Sequence, residues 1–382
     1  MEKDRITVAL LWPKYDGGVT SINDLVLGLD KERFNVIFIY LSGYGVERNF
    51  IQEAGYEVFY LSNIELLKAF RFSILFKLVG ILKRHNVDII HCHAHKPTVY
   101  GTIAAILSRT PVVMAHVHGT NRTANLRRKL TNLVLFRKID RFLPVAQAVK
   151  EDVLKSNWFV PSEKLSVLEN SIDYQKYAQV SISKEDAKQM LGLPSDAFVF
   201  GTVARLSPAK GHVYLIKSFE KVQQKLSGAH LILAGEGRLR NKLENEVKKT
   251  GLSDLVHFLG HRDNISQIYK AMDVFVLPSL AEGMPRVLLE AMAAGVCCIA
   301  TNVGGMPEVL CDKAFGNVVE PRDSSVLTEA MLRAANTPSE ELRALSQKAS
   351  DRVRRQYSHQ VAREKLLKLY ESEYVAPKIK GK

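Results

Sequence analysis

Four cysteines in 382 residues, none of them in a CxxC pair, are too few and too scattered for a disulfide framework or a zinc ribbon. Cys92, Cys297 and Cys298 fall in or beside predicted buried strands, so reduced core thiols of a cytoplasmic protein are the expectation. No uninterrupted apolar run is long enough to span a bilayer, and the opening MEKDR leads straight into a strand, which predicts neither a span nor a signal peptide. Three motifs are missing: HExxH, GxGxxG and any Asp-x-Asp pair. Their absence argues in turn against a zinc protease, a nicotinamide-type dinucleotide site and a diphosphate held through a carboxylate-bound metal. There is no repeat of fixed period and no low-complexity block. Acid is also short: 40 Asp and Glu stand against 53 Lys and Arg, a net charge of +13. Such an excess suits nucleic acid, an anionic membrane or acidic small substrates.

The basic residues are clustered. Residues 119–141 hold Arg122, Arg127, Arg128, Lys129, Arg137, Lys138 and Arg141 against a single acid, Asp140. A predicted helix over 65–84 mixes Lys68, Arg71, Lys77, Lys83 and Arg84 with Phe70, Phe72 and Phe76. A basic amphipathic helix with aromatics suits a membrane surface better than a nucleic-acid groove. The alternative is an ordinary helix packed on a sheet with solvated lysines, and both readings stand at this stage. No nucleic-acid-binding motif accompanies the charge.

What is present is an alternation of short apolar runs with helical patterns, the mark of parallel α/β sheets. Strands are expected at Ile6–Trp12, Asn35–Leu41, Glu57–Leu61, Val87–His91 and Val112–Val117, with helices near 21–29, 65–84, 97–108 and 124–138. After the first strand, Gly17 and Gly18 allow the backbone to approach a ligand closely. His91, His93 and His95 alternate along one extended segment, and His116 and His118 end the next strand. Their spacing fits none of the usual zinc patterns, and a polar wall at the carboxyl ends of strands is the plainer reading. Leu165–Leu168 reads as a further strand, and 174–185 as a linker.

A second α/β series begins at Phe198–Ala204. There Arg205 and Lys210 frame the loop RLSPAKG ahead of a helix, an arrangement that suits a diphosphate. Strands follow at His230–Ala234, Val256–Leu259, Val274–Pro278 and Val296–Ala300. Between the last two, a helix over 285–294 opens with Pro285 as its first residue and stops at Gly295. Glu282 lies in the loop before that helix and Glu290 within it; around its N-terminus they could accept hydrogen bonds from sugar hydroxyls while the free N–H groups meet a phosphate. Taken singly, these charges could equally be solvated. The end of the chain predicts a strand at Asn317–Glu320, helices near 324–335, 339–356 and 359–374, and a short unstructured basic tail.

Glu282-Gly283-x-Pro285 with Glu290-Ala291-Met292-Ala293-x-Gly295 resembles the Glu-x(7)-Glu signature of the retaining GT-B glycosyltransferases, the family 4 or "group 1" enzymes. Gly304-Gly305-x-Pro307-Glu308 and Gly201-x-x-x-Arg205-x-x-x-x-Lys210-Gly211 are similar to further parts of that pattern, and His118-Gly119 matches its donor-sugar histidine. Two segments depart from it. Ala146 and Gln147 replace a small hydroxyl residue, and Glu169 and Ser171 stand where Pro and Gly are usual.

The resemblance implies two Rossmann-like α/β domains facing across a cleft. Residues 1–173 would bind the acceptor and 174–356 the nucleotide sugar, with 357–382 a helix that crosses back to the first domain. It implies transfer of a hexose-type sugar, with a uridine diphosphate sugar as the expected donor, to a glycan or lipid-linked acceptor of bacterial surface polysaccharide, with retention. His118, Arg205, Lys210 and Glu282 would be the catalytic groups. Gly17, Gly18, Gly283, Met284, Pro285, Arg286 and Glu290 would bind the donor, with no cofactor, no metal and no nucleic acid. A cytoplasmic location follows, with room for peripheral contact with the inner face of the plasma membrane. A GT-B-like sugar-nucleotide epimerase would share donor and fold but need no acceptor. A non-catalytic GT-B subunit would have no need of all four of Arg205, Lys210, Glu282 and Glu290.

Overall fold

The computed structural model describes residues 5–15, 21–43, 49–63, 69–120, 126–311 and 314–380. The chain divides into two compact units, Met1–Asn170 with His359–Lys382, and Ser171–Ser358. The sequence places these divisions at 173/174 and 356/357.

The first unit runs β1 (Ile6–Lys14), α1 (Ser21–Leu27), β2 (Phe34–Ser42), α2 (Phe50–Glu53), β3 (Glu57–Tyr60), α3 (Phe72–Arg84), β4 (Ile89–His93), α4 (His95–Ser108), β5 (Val112–Val117), α5 (Leu126–Leu135), β6 (Arg141–Pro144) and α6 (Gln147–Ser156). The second runs α7 (Tyr174–Ala178), α8 (Lys184–Met190), β7 (Val199–Val203), α9 (His212–Gln223), β8 (His230–Ala234), α10 (Arg240–Lys249), β9 (Val256–Gly260), α11 (Ile265–Ala271), β10 (Val274–Leu277), α12 (Arg286–Ala293), β11 (Cys297–Thr301), α13 (Met306–Leu310), β12 (Asn317–Val319), α14 (Ser324–Asn336) and α15 (Ser339–Gln356). The last helix, α16 (His359–Lys380), belongs to the first unit.

Each unit holds a six-stranded sheet, in the orders β3-β2-β1-β4-β5-β6 and β9-β8-β7-β10-β11-β12. Counted from its own first strand, each is 3-2-1-4-5-6, and every pairing between these strands is parallel. The strand order therefore reverses between β1 and β4 and again between β7 and β10. In open α/β sheets, ligands bind outside the carboxyl ends at such reversals, where the two connecting segments turn to opposite faces. Topology alone selects the loops after β1 and β4, and after β7 and β10, as the places for chemistry.

Burial on both faces explains why the strands are apolar runs. In β1, Ala9 and Leu11 join Ile37, Ile39 and Ile90 beneath Leu75 and Leu78 of α3 and Tyr100 and Ala104 of α4. Val8 and Leu10 point the other way, to Val36, Phe38 and Ile89, beneath Leu25 of α1 and Ala362, Leu366 and Tyr370 of α16. Those three α16 residues are spaced four apart and form one apolar stripe. Arg141 fixes the same helix by a 2.8 Å bond from Nε to Glu373, and Lys365 by a 2.8 Å bond to Glu169. Cys92, Cys297 and Cys298 are buried free thiols, and burial pushes Cys297 up to about 11, so these are inert core groups.

Several boundaries differ from the sequence reading for identifiable reasons. β4 ends at His93 rather than His91, because its polar C-terminal half is as buried as its apolar start. Residues 165–168 form no strand: Ser166 and Leu168 donate to Phe142 and Pro144, but only a single bridge, Phe142 to Leu165, results. Tyr174–Ala178, within the expected linker, is a helix capped by Asp173. α16 continues through the expected tail to Lys380. α3 starts at Phe72, with Ile74, Leu75, Leu78 and Leu82 packed inward, so the packed-helix reading holds for one face. Its other face leaves Phe72 69% and Phe76 64% exposed.

Candidate functional site

In the second unit the site is built on the β7/β10 reversal. After β7 the chain makes a short 3-10 turn over Pro208–Lys210 and enters α9 through Gly211, at φ +69°. A Cβ at Gly211 would lie inside the carbonyl oxygen of Pro278, just past the end of β10. Only glycine lets this loop pack so closely, and the contact is reinforced by Leu280 N–H donating to Ala209 O at 2.7 Å. The two loops are thereby locked side by side. Lys210 Nζ lies 2.5 Å from Glu282 Oε1, and Ser279 Oγ donates to the same oxygen at 2.7 Å. Ser279 is in turn held through its carbonyl by Thr301 Oγ1 at 2.5 Å. Both members of the ion pair are largely shielded, with side chains 18% and 10% exposed, whereas Arg205 is exposed at the mouth of the loop.

Behind Glu282 the main chain is set by a second strand-end turn. Gly305 N–H donates to Gly283 O at 2.6 Å, and a Cβ on Gly304 would strike Glu282 O. Pro285 caps α12 without being its first residue, and no side chain caps that helix, so its leading N–H groups remain available to an anion. Met284 is buried in the core, leaving its main chain as what it can present to a ligand. Glu290 sits one turn into α12 beyond Arg286 and is only 8% exposed. Tyr269 OH donates to its Oε2 at 3.0 Å, and Tyr177 also bonds it. Burial, then the Glu290 charge, raises both phenols, so each stays a proton donor. The carboxylate is thus fixed before any ligand arrives. Sequence reasoning missed Ser279, Tyr177 and Tyr269. In the sequence, Tyr269 reads as one more core residue of a short amphipathic helix.

In the first unit, the β1/β4 reversal carries a column of rings. Trp12 stacks on His93 with centroids 3.8 Å apart and planes within 4°, and His118 stacks on His116 at 4.4 Å. His93 Nδ1 lies 3.2 Å from His118 Nε2, His91 Nε2 lies 3.3 Å from His116 Nδ1, and Tyr370 OH lies 2.8 Å from His91 Nδ1. Gly17 and Gly18 lie outside the described residues. These bonds link Tyr370, His91 and His116 in one buried chain, and His116 Nε2 has no hydrogen-bond partner among the described residues. Burial drives His91 down to about 3, and His93 and His116 well below the usual imidazole range, so these three rings are neutral near pH 7.

His91, His93 and His116 bring one nitrogen each within 4.8 Å of one another, the group among the described residues that could hold a metal ion. The hydrogen-bond chain from Tyr370 accounts for both nitrogens of His91 and one of His116. None of the three bonds a carboxylate, the partner that ordinarily orients a metal-bound imidazole. These residues fit a neutral hydrogen-bonded stack better than a dication site.

The buried neutral stack has a pH consequence. Unfolded histidine titrates near 6.5, while His91 in the fold titrates near 3. Below 6.5 the unfolded chain takes up protons that the fold refuses. The stabilisation is therefore complete above pH 6.5 and is lost as pH falls toward 3, at about 1.4 kcal/mol per unit for each such histidine. Urea midpoints measured from pH 7.5 to 5 should fall steeply, before most carboxylates titrate. A flat profile over that range would mean that the imidazoles are not buried as described.

Beneath the N-terminus of α4 lies a cavity of about 310 Å³, floored by Phe136 and Phe142 and carrying Lys96 and Arg128. Its lining includes Ala94, whose φ of 72° and ψ of 163° fall in a region otherwise kept for glycine.

Comparison with known proteins accounts for nearly the whole chain. Residues 183–352 match the family described as "Glycosyl transferases group 1" and residues 15–176 that described as "Glycosyltransferase Family 4". The chain is 32% identical over 284 residues to an Escherichia coli UDP-Gal:alpha-D-GlcNAc-diphosphoundecaprenol alpha-1,3-galactosyltransferase, covering 72% of each protein. It is 27% identical over 307 residues to the Staphylococcus aureus capsular polysaccharide biosynthesis glycosyltransferase CapM, covering 78% of this chain and 80% of that one. Its fold superposes on Anabaena HepE, solved in complex with UDP-glucose, with a TM-score of 0.82 at 21% identity, covering 96% of this chain and 99% of that one.

Proposed function

This chain belongs to glycosyltransferase family 4, the group 1 glycosyl transferases of GT-B fold, and from that premise we propose that it transfers a hexose from a uridine diphosphate donor to a lipid-diphosphate-linked glycan during bacterial surface polysaccharide assembly. Family membership makes it a glycosyltransferase and implies retention at the anomeric carbon. The observation that carries the donor side is the Lys210–Glu282–Ser279 cluster at the β7/β10 reversal, with the fixed Glu290 on the next helix.

As the anomeric C–O bond breaks, charge grows on the leaving diphosphate. Arg205, Lys210 and the uncapped N-terminus of α12, with Gly283 to Arg286 as its approach, meet that charge where it develops. To do so Lys210 exchanges Glu282 for phosphate, which frees Glu282 to accept a sugar hydroxyl. Glu290, steadied by two phenols, accepts from the ribose. His118 contributes a hydrogen bond to the donor sugar. The acceptor oxygen attacks on the face the diphosphate leaves, and its proton passes to the departing phosphate oxygen, so no separate base is required.

The lipid-linked acceptor is supported by three features of the first unit. Its cavity carries Lys96 and Arg128 with no carboxylate among the described residues of its lining. Phe72 and Phe76 on α3, and Leu130 and Val134 on α5, are 64–69% exposed and spaced four apart, so each helix shows an outward apolar stripe. Lys129 is exposed on α5 beside the second stripe. No helix among the described residues is long and apolar enough to cross a membrane. A cytoplasmic enzyme resting on an anionic leaflet fits these features.

The test is a donor screen, UDP-glucose, UDP-galactose and their N-acetyl forms, against a short-chain prenyl-diphosphate N-acetylhexosamine. Acceptor-dependent release of UDP and an α-linked product by NMR are expected. Epimerised donor without acceptor, or no turnover of any UDP-sugar, would overturn the reading. The location has its own check. Sedimentation with anionic vesicles should be strong at low salt and mostly lost near roughly 0.5 M, where screening is severe. Equal capture by neutral vesicles would remove the membrane contact.

A further inference from the structure

We propose that Tyr269 and Tyr177 are positioning residues for ribose recognition: from two different helices they hold the Glu290 carboxylate toward the ribose of the donor, and so make the site select a nucleotide by its ribose hydroxyls. The inference rests on the reading of Glu290 as the ribose acceptor and adds to it the residues that set its selectivity.

Placement comes first. Glu290 lies on α12 and is 8% exposed, so its carboxylate is largely withdrawn from water and needs donors within the protein. Both donors come from other helices. Tyr269, on α11, is fully buried, with Phe275 of β10 against its ring at 5.7 Å between centroids. Its hydroxyl faces two acceptors, Glu290 Oε2 at 3.0 Å and Val287 O at 3.2 Å. The carboxylate is the nearer and the charged one, and a charge-assisted bond is the stronger. Tyr177, on α7, bonds the same carboxylate and sets its ring edge-on to Tyr269 at 6.1 Å. α7 is itself pinned at its start, where the Asp173 side chain accepts from the N–H groups of Gln175 and Lys176. The segment that the sequence pattern marks as a linker thereby supplies a site residue.

The direction of both bonds follows from chemistry. Burial, then the Glu290 charge, raises both phenols, so each keeps its proton, and a carboxylate only accepts. A carboxylate offers about four lone-pair sites, so two phenols leave about two, the number that a pair of ribose hydroxyls requires. The phenols also remove an entropic loss. A glutamate on an open helix face changes rotamer freely, and a ligand that immobilises it loses about 3–10-fold in affinity. Glu290 is already immobilised from α7 and α11. Core packing alone would also keep tyrosines at these positions, but it would not distinguish one nucleotide from another.

The test is calorimetric titration of the full chain with UDP and with its dideoxyribose analogue, which keeps the base and the diphosphate but lacks both ribose hydroxyls. The parent protein should bind UDP about 10–100-fold more tightly than the analogue, the effect of hydrogen bonds to a charged group. Tyr269→Phe removes one oxygen and leaves the ring in place. It should weaken UDP about 3–10-fold and the analogue less than about 2-fold, and Tyr177→Phe should do the same. In a Glu290→Ala background, Tyr269→Phe should change UDP affinity less than about 2-fold, because the group it positions is gone. Equal weakening of the two ligands, or no weakening of UDP, overturns the proposal and leaves the tyrosines as packing residues. A parent protein that binds the two ligands alike would instead remove the role given to Glu290, and the proposal with it. The parent alone therefore tells the two failures apart.

Discussion

Lys210→Ala is expected to lower kcat at saturating donor by about 10²–10³-fold, the usual cost of removing one preorganised stabiliser of developing charge. The ammonium lies 2.5 Å from Glu282 at the β7/β10 reversal, so the ion pair holds it beside the proposed diphosphate position, and the exchange of Glu282 for phosphate is a local one. The same pairing gives this substitution a second effect. Losing the cation leaves a carboxylate that is 10% exposed with Ser279 as its remaining support, and breaking a fully buried pair costs roughly 3–5 kcal/mol. The melting temperature of the donor-free protein should therefore fall as well. Arg205 separates the two effects. It is exposed, so Arg205→Ala should lose turnover on a similar scale with its melting temperature unchanged. Glu290→Gln keeps the Tyr269 bond and should act mainly on donor affinity. Steady-state kinetics and calorimetric melting of the three variants decide. Normal turnover in Lys210→Ala at saturating donor would mean that the diphosphate is held elsewhere.

What the sequence made legible in this site is what is local. Glu282, Pro285, Glu290 and Gly295 lie within one loop and one helix, and their spacing carries the strand–loop–helix geometry without reference to the rest of the chain. Arg205 and Lys210 are the same kind of signal. What could not be read are the partners that fix these groups from afar. Lys210 meets Glu282 across 72 residues and Tyr370 meets His91 across 279, and neither pairing leaves a periodic trace. Tyr269 holds Glu290 from a helix whose pattern is that of ordinary core. The same limit explains the strand ends. An apolar run marks a strand only while its residues are apolar, so the pattern marks β4 only to the point where buried histidines replace isoleucines. The sheet orders were beyond reach for the same reason, yet they are what turns scattered charged loops into one site, because the reversal between β7 and β10 is where those loops meet.

That meeting makes Gly211 the position where a single methyl group should do most harm. At φ +69°, any other residue costs about 1–2 kcal/mol of left-handed strain. The larger obstacle is spatial, because the new Cβ would occupy the site of Pro278 O. That oxygen belongs to the backbone at the end of β10, so no rotamer change can clear it. One loop has to move, and the residue next to the strain is Lys210. A displacement of about 1 Å at a positioned group costs on the order of 10²-fold in rate. Gly211→Ala is accordingly expected to destabilise the protein by about 2–4 kcal/mol, strain and displaced backbone together, and to lower transfer by about 10²-fold or more. Gly192 supplies the control. It has φ +72° with nothing within 4 Å of a Cβ, so Gly192→Ala carries the same strain without the collision. It should lose about 1–2 kcal/mol and keep its turnover. Urea denaturation and initial rates on the two variants read the difference directly. If Gly211→Ala matches Gly192→Ala in both, the close approach of the two loops is not what holds Lys210 in place, and the ion pair with Glu282 must be sufficient by itself.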